Sequence, residues 1–226
     1  MKIKALIAEF IGAFALIFVG VGAIASNVLN GGATGLVGIA LAHGLTIAVM
    51  VGATAAISGG HLNPAVTIGF FVTKKIDLLN GIGYIVAQCL GAIVAAALIK
   101  ECMPLWALQQ VHMGTPALAS GVSVSMGLSM EIVLTFFLMF VIYGTAVSKR
   151  GTSLLAPLLI GLTITLDIFI GGPVTGAAMN PARYLGPALL GGGLDNLWLY
   201  WVGPIIGSVV AAVLFHVVLE EKEKSV

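Results

Sequence analysis

The tripeptide Asn-Pro-Ala occurs twice, at Asn63-Pro64-Ala65 and at Asn180-Pro181-Ala182, half a chain apart in 226 residues. The repetition reaches further than the tripeptide. Gly44-Leu45-Thr46-Ile47 begins 19 residues before the first Asn, and Gly161-Leu162-Thr163-Ile164 begins 19 residues before the second. Gly69 and Gly186 each follow their Asn by six residues. Chance supplies an isolated tripeptide pair more readily than the same tetrapeptide at the same offset, so the chain reads as a duplication. Asn is a preferred N-cap and Pro is favoured at the first helical position, so each tripeptide marks the start of a helix.

The setting of those helices follows from how little charge the chain carries. Only 8% of its residues are charged and 59% are hydrophobic, where soluble domains carry about 25% charged residues. A soluble core cannot hide that much apolar surface, so the solvent is lipid. The net charge of +1 is spread without a basic block, which argues against nucleic acid as a partner. Cys89 and Cys102 have no metal-binding spacing, and Cys89 falls inside an apolar run. Met1-Lys2-Ile3-Lys4 and Ala23-Ile24-Ala25 offer the outline of a signal peptide. Against that, the apolar run between them is long enough to span. Its opening, Ala8-Glu9-Phe10, also has an internal counterpart in Met130-Glu131-Ile132.

Six full spans are expected, at about 5–25, 36–57, 80–100, 122–146, 153–171 and 197–219. Two apolar stretches are too short to cross, from Asn63 to Phe71 and from Asn180 to Leu189. Each follows a Gly-rich approach, Ser58-Gly59-Gly60-His61 or Gly171-Gly172-Pro173-Val174-Thr175-Gly176, which reads as an extended loop leading into a short helix. Irregular backbone survives at membrane depth only where protein buries it or a wet cavity flanks it. Short, Gly/Pro-interrupted segments at matching places in two halves point to a membrane site. Three spans separate equivalent points, so the halves are inverted and the short helices meet N-terminus to N-terminus. Lys2, Lys4, Lys74, Lys75, Lys149, Arg150, Lys222 and Lys224 fall on one side of this topology and Lys100 on the other. The positive-inside rule then places both termini in the cytoplasm.

These residues identify a family. Ser58-Gly59-Gly60-His61-Leu62-Asn63-Pro64-Ala65-Val66-Thr67 and Met179-Asn180-Pro181-Ala182-Arg183 resemble the two signature loops of the aquaporins, the major intrinsic proteins. The resemblance covers nearly the whole chain. It implies an all-α membrane protein, with six tilted helices and two re-entrant half-helices in an inverted repeat. It implies a single channel domain over 1–226, with repeats of about 1–115 and 116–226. It also implies a homotetramer in membrane lipid in which every subunit has its own pore for water and small neutral solutes. No cofactor is implied.

Within that frame Asn63 and Asn180 cap facing half-helices and offer side-chain N–H groups to the lumen; taken singly, either is only a cap. Backbone carbonyls of Gly59, Gly60, His61, Gly176, Ala177 and Ala178 are expected to form an acceptor ladder along one wall. The His61 side chain either narrows the cytoplasmic mouth or packs the loop. An Arg at membrane depth is costly unless it faces water or partners, and the resemblance makes Arg183 part of the narrowest constriction. His43, Ile168 and Ala177 match the other filter positions, where strict water channels usually carry Phe and His at the first two. The set is similar to that of some plant vacuolar aquaporins, and implies a wider ring passing ammonia, hydrogen peroxide or small polyols. Without the resemblance, His43 reads as a core histidine. Tyr184, Ala188 and the pair Tyr200-Trp201 stand where dedicated glycerol channels carry Asp, a basic residue and Pro-Leu. Tyr184 fits neither pattern.

Glu9 and Glu131 are repeat-related acids inside spans. They read either as proton carriers, which with Asp167 would make a proton-coupled transporter, or as acceptors for loop N–H groups stranded away from water. The resemblance implies the second role. A non-conducting junction protein is a third possibility, against which the small Ala177 argues. No nucleophile–base set, metal cluster or phosphate loop suggests an enzyme. Neither cysteine occupies position 177 beside the filter. Mercurials are therefore expected to inhibit water flux only weakly. Strong inhibition that disappears in Cys89→Ser or Cys102→Ser, measured by light scattering of shrinking vesicles, would contradict this.

Overall fold

A backbone in lipid finds no water for its N–H and C=O groups, so an apolar run there closes its hydrogen bonds internally as a helix. The computed structural model describes residues 2–220, and among them every regular element is helical. In chain order these are α1 (Ile3–Leu29), α2 (Gly35–Ser58), α3 (Pro64–Val72), α4 (Leu78–Cys102), α5 (Leu105–Gln110), α6 (Val124–Ile142), α7 (Ala156–Thr175), α8 (Pro181–Pro187) and α9 (Leu199–Leu214). α6 and α9 continue through wider π-type turns at Tyr143–Val147 and Phe215–Leu219. By length and composition α1, α2, α4, α6, α7 and α9 are able to cross a membrane. α3 and α8 are the two short helices that open at the repeated tripeptide.

Three boundaries differ from the sequence reading. α1 runs on to Leu29 rather than ending near residue 25. The stretch from Gly171 to Thr175 is not an extended loop but the last turn of α7, closed by Gly176 in the left-handed region (φ 82°). Continuing the helix keeps the backbone groups of this turn paired internally. The single bond forfeited at Pro173 weighs less than several unpaired groups at that depth. α8 ends at Pro187, and Ala188–Gly192 opens into a π-type turn instead of extending the helix to Leu189. The connection between the halves also holds α5 and a single 3₁₀ turn at His112–Gly114. Ala107 and Leu108 of α5 are buried while Leu105 and Trp106 are exposed.

The two halves lock together through small residues. α2 crosses α7 where Gly44 meets Gly161. A Cβ on Gly44 would lie 2.4 Å from the Gly161 carbonyl oxygen, and one on Gly161 would lie 2.3 Å from the Gly44 carbonyl oxygen. Such near-symmetric backbone contact is how small residues bring membrane helices together. Each half-helix packs on a long helix of the other half, α3 on α9 and α8 on α4. Gly69 and Gly186 make this possible, since a Cβ on either would lie 2.5 Å from Ser208 Oγ or from the Ala92 carbonyl oxygen. Outward faces carry large exposed apolar side chains such as Val49, Leu166 and Ile170. At one end Lys75 Nζ lies 3.9 Å from the Glu220 carboxylate and 5.9 Å from the Tyr143 ring centroid. Lys222 and Lys224 lie outside the described residues.

Gly161→Ala inserts a methyl 2.3 Å from backbone and 2.7 Å from the Ala48 Cβ. Overpacking of this kind costs about 1–3 kcal/mol. The expected outcome is a lower unfolding temperature in detergent, measured by the loss of monodisperse protein on heating; an unchanged temperature would contradict the close crossing.

Candidate functional site

The loops before α3 and α8 are non-helical, so their N–H groups need partners from outside the helix ladder. Two buried carboxylates supply them. Glu9 on α1 accepts from His61 N (2.9 Å), Leu62 N (2.6 Å), Ser58 Oγ (2.6 Å) and Gln88 Nε2 (2.7 Å). Glu131 on α6 accepts from Ala178 N (2.9 Å), Met179 N (2.8 Å) and Thr175 Oγ1 (2.7 Å). The correspondence continues outward. Tyr84 donates its hydroxyl to the Ser58 carbonyl and Tyr200 to the Thr175 carbonyl, each at 2.8 Å. Leu62 and Met179 both sit at φ 52°, and Ala177 at 45°, a region that costs a non-glycine residue about 1–3 kcal/mol.

With the N–H groups of His61, Leu62, Ala178 and Met179 turned to the acids, most of the loop carbonyls stay unclaimed. Gly59, Gly60, His61, Ala177 and Ala178 line one chamber and Gly176 a second. None of these six carbonyls accepts a hydrogen bond from the described residues. His61 packs the loop, one of the two readings the sequence left open, with its ring stacked 4.4 Å from Phe70 and Nδ1 3.1 Å from Thr67 Oγ1; it also lines the chamber.

Asn63 and Asn180 cap α3 and α8 through Oδ1, which accepts from Ala65 N in the first case and from Ala182 N and Arg183 N in the second. Each amide also reaches across the repeat. Asn63 Nδ2 donates to the Met179 carbonyl (2.8 Å) and Asn180 Nδ2 to the Leu62 carbonyl (3.0 Å). A side-chain amide has two N–H donors, so each Asn keeps one beyond this bond. Both residues line the same chamber.

That chamber has a volume of about 210 Å³ and runs from Ser153 and Pro157 at one end to His43, Ile168 and Arg183 at the other. The same three side chains border a second chamber of about 200 Å³ that continues toward Val111, Pro116 and Leu36. The sequence-predicted filter therefore stands at the junction of the two, with Ala177 on the first side. Arg183 is 5% exposed. Its Nη1 donates to the Gly114 carbonyl at 2.8 Å. His43 Nδ1 lies 2.8 Å from the Ile39 carbonyl oxygen; a carbonyl only accepts, so Nδ1 carries the proton.

Several residues went unread in the sequence. The connection between the halves supplies Val111, Gly114, Thr115 and Pro116 to the second chamber. The only local signal was the Gly-Thr-Pro turn chemistry at 114–116. Asp167 lies outside both chambers and makes no hydrogen bond to His43; it is buried, and its Oδ2 has no partner among the described residues. Tyr184 stacks on Tyr200 (4.4 Å between centroids) and donates to the Asp195 carbonyl at 2.5 Å, which accounts for it as a packing residue. Cys89 is half-buried and Cys102 exposed, and neither lines a chamber.

Residues 1–215 match the family described as "Major intrinsic protein". The chain is 42% identical over 225 residues to "Probable aquaporin TIP2-2" of Oryza sativa subsp. japonica, covering 96% of this chain and 88% of that protein. It is 43% identical over 221 residues to "Aquaporin TIP4-4" of Zea mays, covering 94% and 85%. Its fold is similar to the X-ray structure of the aquaglyceroporin from Plasmodium falciparum, with a TM-score of 0.85 at 28% identity over 96% of both chains. The chain belongs to the major intrinsic protein family, and is a multi-pass membrane channel of the aquaporin kind rather than an enzyme.

Proposed function

We propose that the protein is a passive water channel that also admits small uncharged solutes such as ammonia, hydrogen peroxide or glycerol, and rejects protons and ions. The observation that carries this reading is the pair of asparagines. Each spends one amide N–H across the repeat and keeps a second beside the same chamber. A water that accepts from both has no lone pair left for a neighbouring water, so a proton cannot hop through that position. Two helix N-termini facing the same point add positive potential there. The unclaimed loop carbonyls give the rest of the water file its acceptors.

Selectivity in this reading belongs to His43, Ile168, Ala177 and Arg183. The charge of Arg183 repels cations, and its side chain is oriented by the Gly114 carbonyl. Ile168 supplies an apolar wall and Ala177 a small one, which leaves room for solutes larger than water. Proton-coupled transport finds no support in the acids it would need. Glu9 accepts from four donors and Glu131 from three, two of each being loop N–H groups, and Asp167 faces neither chamber. The repeats, about 1–115 and 116–226, act as one channel domain. Both termini lie in the cytoplasm, on the side of Lys74, Lys75, Lys149 and Arg150. The apolar outer faces serve lipid and the neighbouring subunits of a homotetramer.

Stopped-flow light scattering on proteoliposomes tests the reading. Fast shrinkage in sucrose is expected, together with entry of glycerol, urea or ammonia, and a protonophore should change neither. Ala177→Thr combined with Ile168→His should cut solute entry severalfold while water flux persists. Fast water flux without solute entry would overturn the wide filter. Flux that collapses with the proton gradient would overturn the channel.

A further inference from the structure

We propose that Gly20 on α1 is a specificity-determining residue of the channel: the space left by its missing side chain is the socket that holds the His43 ring back from the lumen. The inference rests on the proposed role of His43 at the junction of the chambers. A Cβ built on Gly20 would lie 2.4 Å from His43 Nε2, 2.8 Å from Cδ2 and 3.0 Å from Cε1. All three are side-chain atoms at the far edge of the ring. The opposite edge is tied by Nδ1 to the Ile39 carbonyl at 2.8 Å. The ring is thus fixed at two places, a carbonyl on its own helix and a gap in α1.

Filling the gap leaves the ring one way to go. α2 cannot retreat as a whole, because its next residue, Gly44, is pressed against Gly161 backbone. The carbonyl at Ile39 holds the near edge. The remaining direction is toward the lumen, since His43 borders both chambers alongside Ile168 and Arg183. Carbon and nitrogen atoms sit comfortably about 3.5 Å apart, so a methyl at position 20 displaces the ring edge by about 1 Å. At the junction of the two chambers, such a shift discriminates by size. Gly22, on the same helix, makes an instructive contrast: a Cβ there meets only Ile99 Cδ1, at an ordinary 3.5 Å.

The test compares Gly20→Ala, Gly22→Ala, His43→Ala and the Gly20→Ala/His43→Ala pair in proteoliposomes, with water and hydrogen peroxide permeability normalised to inserted protein. Gly20→Ala should lower peroxide permeability severalfold more than water permeability, and Gly22→Ala should match the parent. In the His43→Ala background, adding Gly20→Ala should change neither, because the ring it displaces is gone. Equal losses in both backgrounds, or no loss in either, would overturn the socket. If the parent passes water but no peroxide, the broad-filter reading fails, and the same comparison made on water flux alone decides the role of Gly20. If Gly20→Ala does not insert, recovery of insertion in the double variant supports the socket, and failure of both overturns it.

Discussion

Two lengths of non-helical backbone sit deep among apolar helices, and the rest of the structure depends on how their N–H groups are satisfied. Water is not available to do it, and an unpaired buried donor costs about 1–3 kcal/mol. Glu9 and Glu131 answer the need by accepting from successive loop amides. Their direction of approach fixes the loops' polarity. Every N–H that turns outward to an acid leaves its peptide carbonyl facing the other way, toward the chambers. A row of unclaimed carbonyls beside the chambers therefore follows from the way the donors are buried.

The same solution explains why the two halves need each other. Asn63 and Asn180 each place an amide N–H on the carbonyl just before the opposite Asn. The half-helices they cap lie against the partner half, at glycines too close to backbone or hydroxyl to carry a side chain. Neither half could position its own short helix alone. The positive φ values at Leu62 and Met179 persist because these contacts leave the backbone no other course.

A symmetric scaffold carries an asymmetric lumen. Glu9 receives a fourth donor from Gln88, which also reaches Thr67 and through it His61. Among the described residues Glu131 has no such side-chain amide. His43 and Arg183 stand at the junction of the chambers on one side of the asparagine pair, while His61 borders the chamber beyond it. Duplication supplies the frame, and the residues that differ between the copies are the ones that distinguish the two ends of the passage.

Much of this was legible in the chain. The paired Asn-Pro-Ala helices, the six spans, the acids at matching depth and the Arg that follows the second tripeptide are local signals, since periodicity, capping and the cost of charge in lipid act on neighbouring residues. The stretch Gly171–Thr175 misled, because its Gly-Pro composition signals a loop while the demand for paired backbone keeps it helical. What only the tertiary structure decided are contacts between residues far apart in sequence. Examples are the Gly114 carbonyl on Arg183, across 69 residues, the gap at Gly20 that receives His43, and the exclusion of Asp167 from the lumen. A glycine or a carbonyl has no side-chain chemistry to announce such a role; it acquires one only from what the folded chain brings against it.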